Sequence, residues 1–147
     1  MDIEKLRKQL EIDEGVKYEI YNDHLGLATF GIGHLVIPSD EEHGEPLGTI
    51  ISEERVKECF DKDVQSVLRD CTLLYKDFDE LPEEVQQILA NMMFNMGATR
   101  LSKFVKLRSA VAMHDWEEAA VQMKDSKWYK QVTNRADRLI ERMEAVG

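Results

Sequence analysis

A single break in period constrains this chain more than any other feature. Before residue 15 and again from about residue 52, apolar residues recur at helical spacing. Between them, YEIYNDHLGLATFGIGH at 18–34 alternates polar and apolar positions. Asn22-Asp23 and Gly26 fall at turn positions inside that run, which predicts a small antiparallel hairpin or three-stranded ribbon. Residues 38–48, PSDEEHGEPLG, hold two of the three prolines and two glycines and read as a loop.

The flanking segments are helical. Ile3, Leu6 and Leu10 recur at helical spacing, with Gly15 placed where a left-handed helix terminus would sit. Ser52 starts a long helix: Ile51 and Val56 have the spacing of a hydrophobic staple, and Val56, Phe60, Val64, Val67 and Leu68 form one apolar stripe. A further helix opens at Pro82, carries Val85, Ile88, Leu89, Met92 and Met96, and closes at Gly97. Asp115 and Glu118 predict a capping box for a short helix to about Lys124, and Ala136, Leu139, Ile140 and Met143 describe the last one. The expected class is α+β, a mostly helical two-lobed fold in one domain spanning 1–147. Its helical lobe takes 1–12 and 58–147, its small antiparallel β lobe 13–51, and a connecting helix runs from about 52. A cleft between such lobes is a common place for a ligand site.

Composition narrows the function classes. No stretch approaches the roughly 20 apolar residues that span a bilayer, so membrane insertion is not expected. MDIEKLRKQLEIDEG is amphipathic and charged, neither a signal peptide nor a hydrophobic anchor. The localisation is therefore open, export by a segment outside this chain included. Net charge is −10, but residues 1–84 hold 22 of 29 acids and 9 of 19 bases, giving −13 against +3 for the remainder. That balance argues against nucleic acid as a partner. Arg100, Lys103, Lys106 and Arg108 run without an acid between them, and Lys124, Lys127, Lys130, Arg135 and Arg138 follow. Such runs read as solvated helix faces. Cys59 and Cys71, roughly 18 Å apart along one helix, cannot form a disulfide. No ligand spacing for a metal and no phosphate loop appears, so neither metal nor cofactor is expected.

Several residues in and beside the ribbon can carry chemistry. Glu14 follows Leu6 and Leu10 at i+4 steps, so it lies near the buried stripe. It is also the last residue before the Gly15 terminus, where the helix dipole disfavours negative charge, a setting that suits a proton donor. Asp23 sits in the ribbon turn, where an Asp commonly serves its own backbone. The Thr29 hydroxyl can orient a water, although threonine is also an ordinary strand residue. Gly31 and Gly33 weaken a strand unless something approaches the backbone closely, such as a sugar ring. His34 fits best as a structural partner to an acid.

Together these residues are more specific than any one of them. I-D-E-G at 12–15, Y-N-D at 21–23 and T-F-G-I-G-H at 29–34 resemble the phage-type lysozymes, the family of the T-even phage endolysins. That family's motif is a Glu, an Asp nine positions later and a Thr six after that, leading into G-I-G-H, and all of these spacings hold here. The resemblance continues through F-D-K-D-V at 60–64, N-M-M-F-N-M-G at 91–97, W-E-E-A-A-V at 116–121 and W-Y…T-N-R-A at 128–136.

The resemblance implies a muramidase, a glycoside hydrolase cutting the β-1,4 bond between N-acetylmuramic acid and N-acetylglucosamine in bacterial peptidoglycan. Glu14 would be the proton donor, with Asp23 and Thr29 positioning a water for an inverting reaction. Leu35, Phe94, Gln122 and Gly33 would touch the glycan, Gln122 standing where the family has Asn. Leu107 falls where it has a serine. Arg135 would pair with Glu14, and His34 with Asp63. Relative to the T-even enzymes, the stretch from His34 to Ser52 is about ten residues shorter and the charge is acidic rather than basic. The chain is expected to act as a monomer. The rival readings are a non-catalytic glycan-binding or regulatory protein that kept the fold, and a hydrolase of another amino-sugar polymer such as chitin.

Overall fold

The computed structural model describes all 147 residues. The chain forms seven α-helices and one three-stranded antiparallel sheet, an α+β architecture. The first helix, α1 (Ile3–Glu14), ends at Gly15, whose φ of 78° is the left-handed terminus that glycine adopts without strain. The ribbon follows as β1 (Lys17–Asn22), β2 (Ala28–Gly31) and β3 (His34–Leu35), in the order β1-β2-β3. Tyr21 pairs with Thr29, and Thr29 with Leu35. Residues 36–50 are irregular apart from one bridge, Glu19 to Ile50.

Ser52 opens α2 (Glu53–Leu74), its hydroxyl accepting from the Arg55 N–H at 3.1 Å. Val56, Phe60, Val64 and Val67 are buried along its predicted stripe, as are Cys59 and Cys71, both free thiols. A short 3₁₀ turn (Phe78–Glu80) leads to α3 (Glu83–Leu101). The sequence predicts that this helix stops at Gly97. Instead, Gly97 (φ 78°, ψ 164°) interrupts it for one residue, and helical structure resumes to Leu101. Then come α4 (Val105–Ala112), α5 (Trp116–Lys124), α6 (Lys127–Gln131) and α7 (Thr133–Glu144). The Asp115 carboxylate caps α5 by accepting from the Glu118 N–H at 3.1 Å.

The chain divides into two units. One comprises Met1–Leu6 with Val67–Gly147, the other Arg7–Ser66. In the first, α3 is buried on every side from Val85 to Met93, as expected of a helix around which others pack, and exposed at 97–100. In the second, Leu10, Ile20, Phe30, Ile32, Ile51, Val56 and Phe60 are buried, so the short ribbon has an apolar face to fold on. No helix is long and apolar enough to cross a membrane.

Candidate active site

The unit Arg7–Ser66 contains most of the residues singled out from sequence. Glu14, half-buried, is the last residue of α1. Gly33 holds a φ of +59° and lies hard against it. A Cβ on Gly33 would stand 2.9 Å from Glu14 Oε1 and 3.2 Å from Glu14 Cβ and Cδ. The side chain absent at position 33 is therefore replaced by the Glu14 carboxyl. Gly31 does the same for α2, where an added Cβ would meet Val56 Cγ1 at 3.1 Å.

Asp23 is fixed by its own turn. Its Oδ1 accepts from the N–H groups of Leu25 (2.8 Å) and Leu27 (2.9 Å), the Asx arrangement expected of a turn aspartate. Those two bonds set the carboxylate plane and leave Oδ2 without a protein partner. Thr29 is 4% exposed, and its hydroxyl donates to the Leu27 carbonyl at 2.9 Å. With its proton so committed, Thr29 Oγ1 can only accept from a further group such as water.

Tyr21 was not singled out from sequence. Burial raises its phenol above the ordinary range, and the nearby carboxylates of Glu14 and Asp23 raise it further. It is thus the side chain that feels both acids at once, and Lys17 Nζ stands over its ring at 4.4 Å. Its place two residues before Asp23 is the one clue that the sequence held; its pairing with Thr29 is seen only in the fold.

Behind the ribbon lies an ion-pair network. His34 donates through Nδ1 to Asp63 Oδ2 at 2.7 Å and through Nε2 to Asp40 Oδ2 at 2.9 Å. Two carboxylates facing the two ring nitrogens require both to carry protons, so the ring is an imidazolium. Burial lowers the His34 pKa, but Asp63 and Asp40 outweigh it and the net shift is upward. For Asp40, burial raises the pKa, while the Ile37 N–H, His34 and Arg55 together carry it below the usual range. Arg55 forks onto Glu42, with Nε donating to Oε2 at 2.7 Å and Nη2 to Oε1 at 2.9 Å, and it also meets Glu58 at 2.8 Å. The short segment between His34 and Ser52 is therefore tied down through Asp40 and Glu42. Neither residue stands out in a stretch that reads only as loop.

The unit containing Val67–Gly147 carries the remaining candidates. Arg135 is 7% exposed, and its Nε donates to Asn91 Oδ1 at 2.9 Å. Phe94 is half-buried on α3. Gln122 on α5 donates to Glu118 Oε1 at 2.7 Å, while Leu107 on α4 is fully buried. Leu35, in the ribbon unit, is 45% exposed and open to contact.

The phage lysozyme family model matches residues 11–145. The chain is 31% identical to the probable T4-type lysozyme 2 of Dictyostelium discoideum, over 97% of this chain and 95% of that one. It is 28% identical to the peptidoglycan hydrolase gp36 of Pseudomonas phage phiKMV, over 97% of this chain and 15% of that protein. It also matches the pre-baseplate central spike protein Gp5 of Enterobacteria phage T4 at 26% identity, over 91% of this chain and 26% of that protein. With its helix-end glutamate, turn aspartate and glycine-rich ribbon, the chain belongs to the phage lysozyme family.

Proposed function

We propose that the protein is a muramidase, hydrolysing the β-1,4 bond between N-acetylmuramic acid and N-acetylglucosamine in peptidoglycan. The family membership and the relative named as a peptidoglycan hydrolase support the substrate class. The observation that carries the mechanism is the unequal use of the two Asp23 oxygens. Oδ1 is saturated by backbone N–H groups, Oδ2 has no protein partner, and Thr29 Oγ1 has only acceptor capacity left.

In this reading Glu14 gives its proton to the glycosidic oxygen as the bond to the anomeric carbon breaks. A water donates one hydrogen to Asp23 Oδ2 and one to Thr29 Oγ1 and attacks from the opposite face, its proton passing to Asp23. The anomeric configuration inverts. The roles that the family resemblance gives Leu35, Phe94, Gln122 and Gly33 toward the glycan, and Arg135 toward the proton donor, belong to the same proposal. His34 and Asp63 hold the ribbon.

Clearing of purified peptidoglycan by Glu14→Gln, with chitin oligomers run in parallel, tests this. The folded variant should clear at below about 1% of the parent rate, since general acid catalysis contributes roughly 10²–10⁴-fold. A folded variant that clears faster removes Glu14 from the role. Parent activity on chitin alone removes the substrate class.

A further inference from the structure

Tyr21 is a half-buried side chain of the ribbon unit to which the reaction above gives no task. Its pairing with Thr29 sets the two side chains next to each other on one face of the ribbon. Asp23 follows two residues later, the interval at which a strand returns to the same face. Lys17 fixes the ring. Four residues apart on a regular strand, Lys17 and Tyr21 would lie roughly 13 Å from each other. The register shortens that span: Lys17 pairs with Gly31 and Tyr21 with Thr29, four steps on β1 against two on β2. This bulge turns Lys17 back, and its Nζ stands 4.4 Å from the centre of the Tyr21 ring.

The donors and acceptors on this face do not balance without Tyr21. Asp23 Oδ2 has no protein partner and Thr29 Oγ1 can only accept, so both offer acceptors to a water and neither offers it a donor. The Tyr21 O–H makes no hydrogen bond in the protein. Burial, with the fields of Glu14 and Asp23, keeps that phenol protonated well above neutral pH.

We propose that Tyr21 is a positioning residue for the attacking water, its O–H donating to the water oxygen while the water donates to Asp23 Oδ2 and Thr29 Oγ1. The inference rests on the muramidase reading above. A water has two hydrogens and two lone pairs. Asp23 and Thr29 take the hydrogens and Tyr21 takes one lone pair, which leaves a single lone pair to meet the anomeric carbon. With two acceptors alone, either lone pair can face the sugar and the oxygen can drift. As the water oxygen bonds to carbon, one of its protons passes to Asp23 and the Glu14 proton goes to the departing oxygen. The phenol proton stays on Tyr21. Water is selected over a sugar hydroxyl because Thr29 is only 4% exposed, a depth that a water reaches and a sugar ring does not.

Tyr21→Phe is the test, since it keeps the ring and its contact with Lys17 and removes only the O–H. On a soluble peptidoglycan oligomer kcat should fall about three- to tenfold, the worth of one hydrogen bond, with KM unchanged. The pH profile of kcat should keep both limbs in place. Lys17→Met should lower kcat in the same direction by less. High-resolution crystal structures without substrate give a second readout. The parent should hold a water against Tyr21 Oη, Asp23 Oδ2 and Thr29 Oγ1, and Tyr21→Phe should lose or shift it. The parent kcat in Tyr21→Phe would overturn the proposal, and so would a parent water that does not touch Tyr21 Oη. A raised KM at unchanged kcat would place the phenol on the sugar instead, and a moved limb would place it on the charge of Glu14. Failure of the parent to cut peptidoglycan would count against the muramidase reading, while the crystal structures still decide the water contact.

Discussion

Gly33→Ala separates the cost of strain from the cost of displacing the proton donor. Position 33 has φ +59°, so any L side chain there is strained by roughly 1–2 kcal/mol. For a chain of this size that lowers Tm by about 2–8 °C. The new Cβ also falls 2.9 Å from Glu14 Oε1, while ordinary contact begins at 3.4 Å, so the oxygen must retreat by 3.4 − 2.9, or about 0.5 Å. The carboxyl is the far end of the Glu14 side chain and Glu14 Cβ, 3.2 Å from the new atom, is tied to the backbone, so most of the displacement falls on the group that must meet the glycosidic oxygen. A misplacement of about 1 Å can cost roughly 10²-fold, so half of that costs about tenfold, in kcat rather than KM. Gly44→Ala is the matched control, since Gly44 has φ +86° and an alanine methyl there would meet nothing within 4 Å. It should lose similar stability and no activity. Initial rates of wall clearing beside thermal melts of both variants decide the matter. If Gly33→Ala melts like Gly44→Ala and keeps the parent kcat, the contact between position 33 and Glu14 does not set the reaction geometry.

Other expectations follow from the ion pairs and the mechanism. The pKa of His34 is raised in the folded state, so its contribution to stability is full below the ordinary imidazole value of about 6.5 and fades as pH rises through the folded value. His34→Gln should therefore lower Tm most in mild acid, with the gap to the parent narrowing at alkaline pH; a gap that widens with pH would contradict the assignment. Arg55→Met leaves Glu42, 7% exposed, without its bidentate partner. The loss should be about 2–3 kcal/mol, a fall in Tm of about 4–12 °C, and Glu42→Leu in the same chain should recover part of it. Unchanged melting in Arg55→Met would show the pair to be inert. Proton NMR of the freshly released reducing end should show the α-anomer before mutarotation; an initial β product would mean direct attack by Asp23 and carboxyls only about 5–5.5 Å apart.

What could be read from the chain beforehand follows the range of the interactions concerned. Helices α1, α2, α5 and α7 were legible because their stripes and caps are local: Ser52, Asp115 and Gly15 act within a few residues of themselves. Gly97 misled because a positive φ can end a helix or merely interrupt it. Its ψ of 164°, which no sequence pattern encodes, is what lets the chain continue. Helices α4 and α6 are eight and five residues long, too short to show a period among their basic neighbours. In the site, Glu14, Asp23 and Thr29 stand out only through the resemblance to a family whose motif has the same spacing. The contact of Gly33 with Glu14 and the bonds from Asp40 to His34 and Glu42 to Arg55 join distant stretches, so composition showed only a strand glycine and an acidic loop.

Leu27 gives one backbone residue two duties. Its N–H holds Asp23 Oδ1 and its carbonyl receives the Thr29 hydroxyl, so a single residue works as the gauge block that spaces the carboxylate from the threonine. Neither duty involves the leucine side chain, which is 45% exposed, and Leu25, whose N–H holds the same oxygen, is 70% exposed. The turn can therefore drift widely in residue type across relatives while the spacing stays constant. The forbidden letter is proline, at either 25 or 27, because it alone deletes the N–H on which the gauge depends.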